Sequence, residues 1–167
     1  MTRAPFHVLF LCTGNATRSI FAEAILNRDS AGEVKAFSAG LTPAQAVDPH
    51  AIALLQRLDM PTRGLRAKSW NEFTRADAPR MDAVISVWVD TGKTCPVVPG
   101  QPVTAHWNVP SPFRDESNED ERRRAYALTL ARLETRVGML LSLPITTMDS
   151  VFLKHRLDEI GEMSEEP

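Results

Sequence analysis

Cysteine is scarce, with two in 167 residues. Two thiols cannot build a disulfide framework, and they are too few to close a four-thiolate zinc site. An excess of one charge sign is also lacking. Nineteen Lys and Arg stand against 21 Asp and Glu, for a formal net charge of −2, whereas a dedicated nucleic-acid binder is markedly basic. Long apolar runs are missing too. The longest early one is Val8-Leu9-Phe10-Leu11-Cys12, too short for a signal-peptide core and far too short to span a bilayer. The expectation is a cytoplasmic protein whose thiols stay reduced, with no nucleic-acid or membrane partner. What is present suffices for a core. The length is close to one domain of ~150 residues, and such a chain buries roughly two-thirds of its unfolded surface. No internal repeat or long linker interrupts it.

The order of elements predicts an α/β fold. The apolar run from His7 to Leu11 suits a strand buried on both faces. A loop follows, and then a helix with Phe21, Ala22, Ile25 and Leu26 at helical spacing, capped by Ser19 and stopped at Gly32. Val34 to Ser38 reads as a second strand. Asp48-Pro49 opens a helix, Asp as cap and Pro as first residue, with Ile52, Leu55 and Leu58 as its apolar face. Met81 to Trp88 and Val103 to Val109 read as further strands. Ser117 to Asp120 has the form of a capping box, and the helix it starts carries Tyr126, Leu130, Leu133, Val137 and Leu140 as a core stripe. Pro144 ends that helix, and a last one from about Thr146 to Ile160 has Met148, Phe152 and Leu157 on its apolar side. A chain that begins β-α-β-α predicts a parallel sheet covered by helices. The expected organisation is one domain over 1–143, a C-terminal helical extension over 144–161, and a disordered tail over 162–167.

The chemistry concentrates in Cys12-Thr13-Gly14-Asn15-Ala16-Thr17-Arg18-Ser19, a cysteine and an arginine separated by five residues between a strand and a helix. Backbone N–H groups of Thr13, Gly14, Asn15, Ala16, Thr17 and Arg18 can curl round a tetrahedral oxyanion at such a junction. Gly14 and Asn15 are residue types that tolerate left-handed backbone. Arg18 offers a planar fork for two anion oxygens. Cys12 sits where the helix N-terminus and Arg18 both favour thiolate over thiol, and Ser19 can donate a hydrogen bond to it. The product is a sulfur nucleophile aimed at a bound oxyanion. His7, His50 and His155 lack metal-ligand spacing, so no metal site is expected. His106 and Trp107 read as packing near the site. Arg122-Arg123-Arg124 beside Glu119, Asp120 and Glu121 reads as a solvated mixed-charge face.

The segment Cys12 to Ser19, continued by Ile20-Phe21-Ala22-Glu23-Ala24, resembles the active-site loop of the low-molecular-weight protein tyrosine phosphatase superfamily, and most closely its thioredoxin-coupled arsenate reductase branch. Phe37-Ser38-Ala39-Gly40, Lys68-Ser69-Trp70, Cys95-Pro96-Val97-Val98-Pro99-Gly100 and Thr104-Ala105-His106-Trp107 are similar to that branch, and Ile20 replaces the proline usual in the phosphatases. The resemblance implies a three-layer sandwich, a four-stranded parallel sheet with helices on both faces. It implies a role in arsenic resistance. Cys12 would attack arsenate, a second thiol would attack Cys12, and arsenite would leave, with the disulfide reduced by an external thiol such as thioredoxin, glutathione or mycothiol and no bound cofactor. It also implies that Asn15, Glu23 and Ser38 order the loop, in some members around a potassium ion. Monomer and homodimer are both compatible with it.

Two positions depart from that pattern. Relatives with an internal relay carry a further cysteine seven residues before Cys95; here that residue is Trp88. Relatives carry an Asp-Pro pair whose aspartate is the general acid; here it reads Ser111-Pro112, and a serine hydroxyl is a poor acid. Three readings stay open: an arsenate reductase that uses Cys95 or an external thiol for the second step, a phosphatase with Asp115 as substitute acid, and a non-enzymatic oxyanion-binding module.

Overall fold

The computed structural model describes residues 4–88, 98–112 and 118–163. Cys95, Asp115, Ser117 and the last four residues lie outside the described residues. Four parallel strands, β1 (Phe6–Cys12), β2 (Val34–Gly40), β3 (Ala83–Ser86) and β4 (Val103–His106), form one sheet in the order β2-β1-β3-β4. The helices are α1 (Arg18–Asp29), α2 (Pro49–Arg57), α3 (Glu119–Leu141) and α4 (Ser150–Gly161), with a 3₁₀ turn over Trp70–Phe73. The chain crosses over between strands at every step, as a parallel sheet requires. β1 pairs on both sides and is buried from Val8 to Cys12.

Alternation along β1 separates the two faces. Phe10 points to the face where its ring meets Trp107, whose indole Nε1 donates to Leu157 O of α4 at 3.1 Å. α1, α3 and α4 pack together on that side. His7 points to the opposite face, where its ring meets Phe37, which in turn meets Phe73 of the 3₁₀ turn. Helical structure therefore covers both faces, and the helix content is uneven between them.

Several elements differ in extent from the sequence reading. β3 and β4 are four residues each; Val87 adds one more ladder bond to Leu11 O at 2.8 Å, and Trp88 is buried beside the His106 ring. Trp107 N–H likewise bonds Ser86 O at 2.7 Å, and the chain leaves the ladder after it. α1 ends at Asp29, with Ser30 as cap and both Ala31 and Gly32 left-handed. α2 is capped by Asp48, whose side chain accepts from His50 N, but it buries Ala51, Leu54 and Leu55 while Leu58 is exposed. The stripe on α3 is core at all five positions, and Asn118 is its cap, accepting from the N–H groups of Asp120 and Glu121. That helix ends at Leu141, before Pro144. α4 starts at Ser150 and buries Leu153, Leu157 and Ile160; Phe152 points outward. Gly161 lets α4 close on β4, since a Cβ there would stand 2.2 Å from His106 O. No helix among the described residues is long and apolar enough to cross a membrane.

Candidate active site

The loop between β1 and α1 is held from outside by the chain that follows β2. N–H groups of Leu41, Thr42, Ala44 and Asp48 bond the carbonyls of Cys12 (3.1 Å), Thr13 (2.8 Å), Gly14 (2.8 Å) and Ala16 (3.1 Å). In a trans peptide the carbonyl and the next N–H point opposite ways, and no cis bond occurs among the described residues. The N–H groups of Thr13, Gly14, Asn15 and Thr17 therefore face inward, away from the strip that holds the loop. Asn15 shows the direction directly, because its N–H donates to Cys12 Sγ at 3.2 Å. Such a ring of converging amides is an anion-binding concavity.

The start of α1 adds to it. Thr17 occupies the cap position but makes no side-chain cap, so the first-turn amides are left for another acceptor. No acidic residue lies in that first turn, so nothing competes with an anion for the positive end of the helix. Ser19, read as the cap, is instead the second helical residue, fully buried, with its Oγ 2.9 Å from Cys12 Sγ. Of the two residues expected to take left-handed backbone, only Asn15 does, at φ 51°.

Asn15 organises the hydrogen bonds. Its Oδ1 accepts from Lys68 N at 2.9 Å, and a backbone N–H can only donate. Its Nδ2 is therefore the atom facing Ser19 Oγ, at 2.8 Å, and donates to it. Ser19 Oγ, already an acceptor, directs its proton at the sulfur. Cys12 Sγ thus receives two donors, Asn15 N–H and Ser19 O–H, on an atom 2% exposed.

Arg18 Nη1 donates to Val109 O at 3.0 Å, so residues 107–109 anchor the guanidinium. Burial lowers the Arg18 pKa from its ordinary value, and the electrostatic attraction of Cys12 opposes that shift. Ser111, two residues further, lines a cavity of about 440 Å³ against α3 with Arg124, Leu128 and Arg132. His106 is bound by Ser86 Oγ at 2.7 Å and Asn108 Oδ1 at 3.1 Å, a structural position.

Two groups support the loop, one joining Lys68 to the Glu23 and Ser38 that the resemblance places there, the other centred on Asp48. Behind Asn15, Lys68 Nζ lies 3.4 Å from Ser38 Oγ and 3.9 Å from Glu23 Oε1, and Ser38 donates to Glu23 at 2.5 Å. Burial raises the Glu23 pKa, with Ser38 and Lys68 pulling it back; burial lowers that of Lys68, with Glu23 and the Cys12 charge opposing. Beneath Thr17, buried Asp48 accepts from Thr17 Oγ1 at 3.1 Å and from the Tyr126 hydroxyl. Burial and that bond push the Tyr126 phenol well above its ordinary range. Lys68 stands in a segment noted only for its resemblance, and Asp48 was legible only as a cap. Among the described residues no group of three or more His, Cys, Asp and Glu is placed to hold a metal ion.

Comparison with known proteins agrees with this geometry. Residues 7–151 match the family model for low molecular weight phosphotyrosine protein phosphatase. The arsenate reductase of Bacillus subtilis is 27% identical over 115 residues, 69% of this chain and 80% of that one. The crystal structure of arsenate reductase from Archaeoglobus fulgidus is 29% identical, covers 78% of this chain and 98% of its own, and superposes with a TM-score of 0.59. A thioredoxin-dependent arsenate reductase of Corynebacterium glutamicum is 26% identical over 86% of this chain and 66% of its own, also at 0.59. The chain belongs to the low molecular weight phosphotyrosine protein phosphatase family and, within that family of enzymes, to the arsenate reductase branch.

Proposed function

We propose that this protein reduces arsenate to arsenite, with Cys12 as nucleophile and a second thiol supplied by Cys95 or by an external reductant such as thioredoxin, glutathione or mycothiol. The observation that carries the reading is the position of Cys12 Sγ inside a ring of inward amides, hydrogen-bonded by Asn15 N–H and Ser19, with Arg18 near enough to interact with it electrostatically.

The steps balance as follows. The Cys12 thiolate attacks arsenic, an As–O bond breaks, and the oxygen leaves as water with protons from arsenate and solvent. The loop amides and Arg18 hold the remaining oxygens while charge redistributes. The second thiolate then attacks Cys12 Sγ. The S–As electron pair stays on arsenic, As(V) becomes As(III), and arsenite leaves a disulfide on Cys12. A further thiol reduces that disulfide. Water or hydroxide leaves arsenate without the strong acid that an alkoxide needs, so Ser111 in place of aspartate weighs against phosphate-ester hydrolysis more than against this chemistry. Trp88 is 3% exposed and packed on His106, so the strand end that carries the relay cysteine in relatives holds a core side chain here.

The test is arsenite formation by purified protein with dithiothreitol, glutathione or thioredoxin as donor. Wild type is expected to turn over with at least one donor, and Cys12→Ser with none. Retained turnover in Cys95→Ser places the second thiol outside the chain; lost turnover assigns it to Cys95. No arsenite with any donor, together with hydrolysis of p-nitrophenyl phosphate, overturns the reading in favour of a phosphatase.

A further inference from the structure

The family resemblance implies that Asn15, Glu23 and Ser38 order the loop, in some members around a potassium ion. The side chains present here do not fit one. Lys68 Nζ already faces the oxygens of Ser38 and Glu23, and it donates to Arg66 O at 2.8 Å. The Lys68 and Glu23 side chains are only 9% and 14% exposed. A metal cation at the same oxygens would stand in contact with the ammonium, two like charges in a poorly solvated space. The Asn15 amide has no group to spare either, since its oxygen holds Lys68 N–H and its nitrogen holds Ser19.

We propose that Lys68 is a positioning residue, its ammonium being a cation tethered behind the oxyanion loop, so that anion binding by this chain is independent of monovalent metal ions. One residue then acts twice on the loop. Its backbone N–H orients Asn15, and so Ser19 and the sulfur. Its ammonium is the stronger of two cations acting on Glu23, the buried carboxylate behind the same loop, the other being the exposed Arg66. The backbone bond survives any side-chain change at position 68, so the charge can be removed while the orientation of Asn15 is kept. Removing it opens a small space lined by Glu23, Ser38 and the Arg66 carbonyl, an oxygen-lined place for a hard cation. A diffusible cation should then take over the role.

This inference rests on the loop being an oxyanion site, but not on arsenate being reduced, so it is read from binding. Inorganic phosphate affinity is measured by calorimetry in potassium and in choline buffers of equal ionic strength, and melting temperature is measured in both without phosphate. Wild type is expected to give the same dissociation constant within about twofold in both. Lys68→Ala is expected to bind about tenfold more weakly in choline, the order of one charged hydrogen-bonded group, and to recover most of that loss, with a higher melting temperature, in potassium. Lys68→Arg, which keeps the charge, is expected to stay within about threefold of wild type with no potassium response. The proposal is overturned if wild type binds phosphate several-fold better in potassium, or if Lys68→Ala matches wild type in choline, or if its loss is the same in both buffers. If Lys68→Ala does not fold, a potassium response in Lys68→Arg also overturns it. Absence of arsenite formation alongside these binding results removes the reductase reading and leaves the tethered cation standing.

Discussion

Replacing Gly40 by alanine should displace the oxyanion loop without altering any of its side chains. Gly40 ends β2 directly beside Cys12 in the register, and a Cβ there would stand 3.0 Å from Asn15 Cβ, Asn15 N and Gly14 C. Carbon contacts are comfortable near 3.5–4.0 Å, so a gap of several tenths of an ångström must open. Two of the three atoms are backbone, and no rotamer change absorbs the clash. Retreat is resisted on both sides: Gly40 N–H is bonded to Lys68 O at 2.8 Å, Leu41 N–H to Cys12 O at 3.1 Å, and Asn15 Oδ1 to Lys68 N–H at 2.9 Å. Overpacking of this kind costs about 1–3 kcal/mol. A domain of this size loses about 2–4 °C per kcal/mol, so the melting temperature should fall by about 2–12 °C. Phosphate affinity should fall as well, because the displaced atoms include the Asn15 N–H aimed at the sulfur. Scanning calorimetry and phosphate titration read the two effects. Gly14→Ala is the stability control, since its Cβ meets nothing within 4 Å; it should melt within about 1 °C of wild type on the same scale. A Gly40→Ala protein that melts like wild type and binds phosphate equally well would refute the close approach as a constraint.

Asp48→Ala removes the α2 cap and leaves the Thr17 and Tyr126 hydroxyls without their acceptor. The expected loss is about 3 kcal/mol, read by urea denaturation, with weaker phosphate binding because Thr17 precedes Arg18; a loss below about 1 kcal/mol would contradict the network. Tyr126 is the only tyrosine, so tyrosinate absorbance reports it alone. Its folded pKa is raised, so the neutral phenol stabilises the fold fully below pH about 10, the ordinary phenol value, and that contribution is lost as pH rises further. Absorbance should therefore rise only together with alkaline unfolding, and free titration near pH 10 in the folded protein sinks the assignment. Gly161→Ala would put a Cβ 2.2 Å from His106 O and 2.8 Å from Trp107 Cδ1. It should lower the melting temperature more than Gly40→Ala does, and a smaller drop would mean that α4 is free to slide on β4.

Sequence patterns were sufficient where the signal is local. Asp48-Pro49 marks the start of α2 because cap and first-turn chemistry act within three residues. The α3 stripe stands out because its apolar residues recur every three or four positions through a helix otherwise rich in charge. The faces of α2 and α4 are only partly legible for the converse reason: Leu55 and Leu157 are core as expected, while Leu58 and Phe152 are exposed. Ile52, Leu54, Leu55 and Leu58, or Val151, Phe152 and Leu153, put apolar side chains on more than one face, and only the neighbouring layer selects the phase. β4 was read too long because Trp107 and Val109 are apolar for other reasons, Trp107 to fill the core beside Phe10 and α4, and Val109 in the segment whose carbonyl holds Arg18. The Cys12 to Ser19 spacing was legible as an anion site. Its support was not. Lys68 reaches Asn15 across 53 residues and Tyr126 reaches Asp48 across 78, and nothing in local periodicity encodes such a meeting.

The strip that holds the oxyanion loop has a consequence for how this protein can vary. It grips the loop's carbonyls with backbone N–H groups, from Leu41, Thr42, Ala44 and Asp48. For that bonding the side chains at 41, 42 and 44 are immaterial, so these positions should drift freely among residues of similar bulk. One residue type is barred from all four, because proline has no N–H to give. The chain already shows the rule in its own letters: its proline in this strip, Pro43, falls between Thr42 and Ala44, at a position that is not one of the four donors. A library randomised over residues 41–48 and selected for phosphate binding should return varied residues of similar bulk at 41, 42 and 44, and proline at none of them.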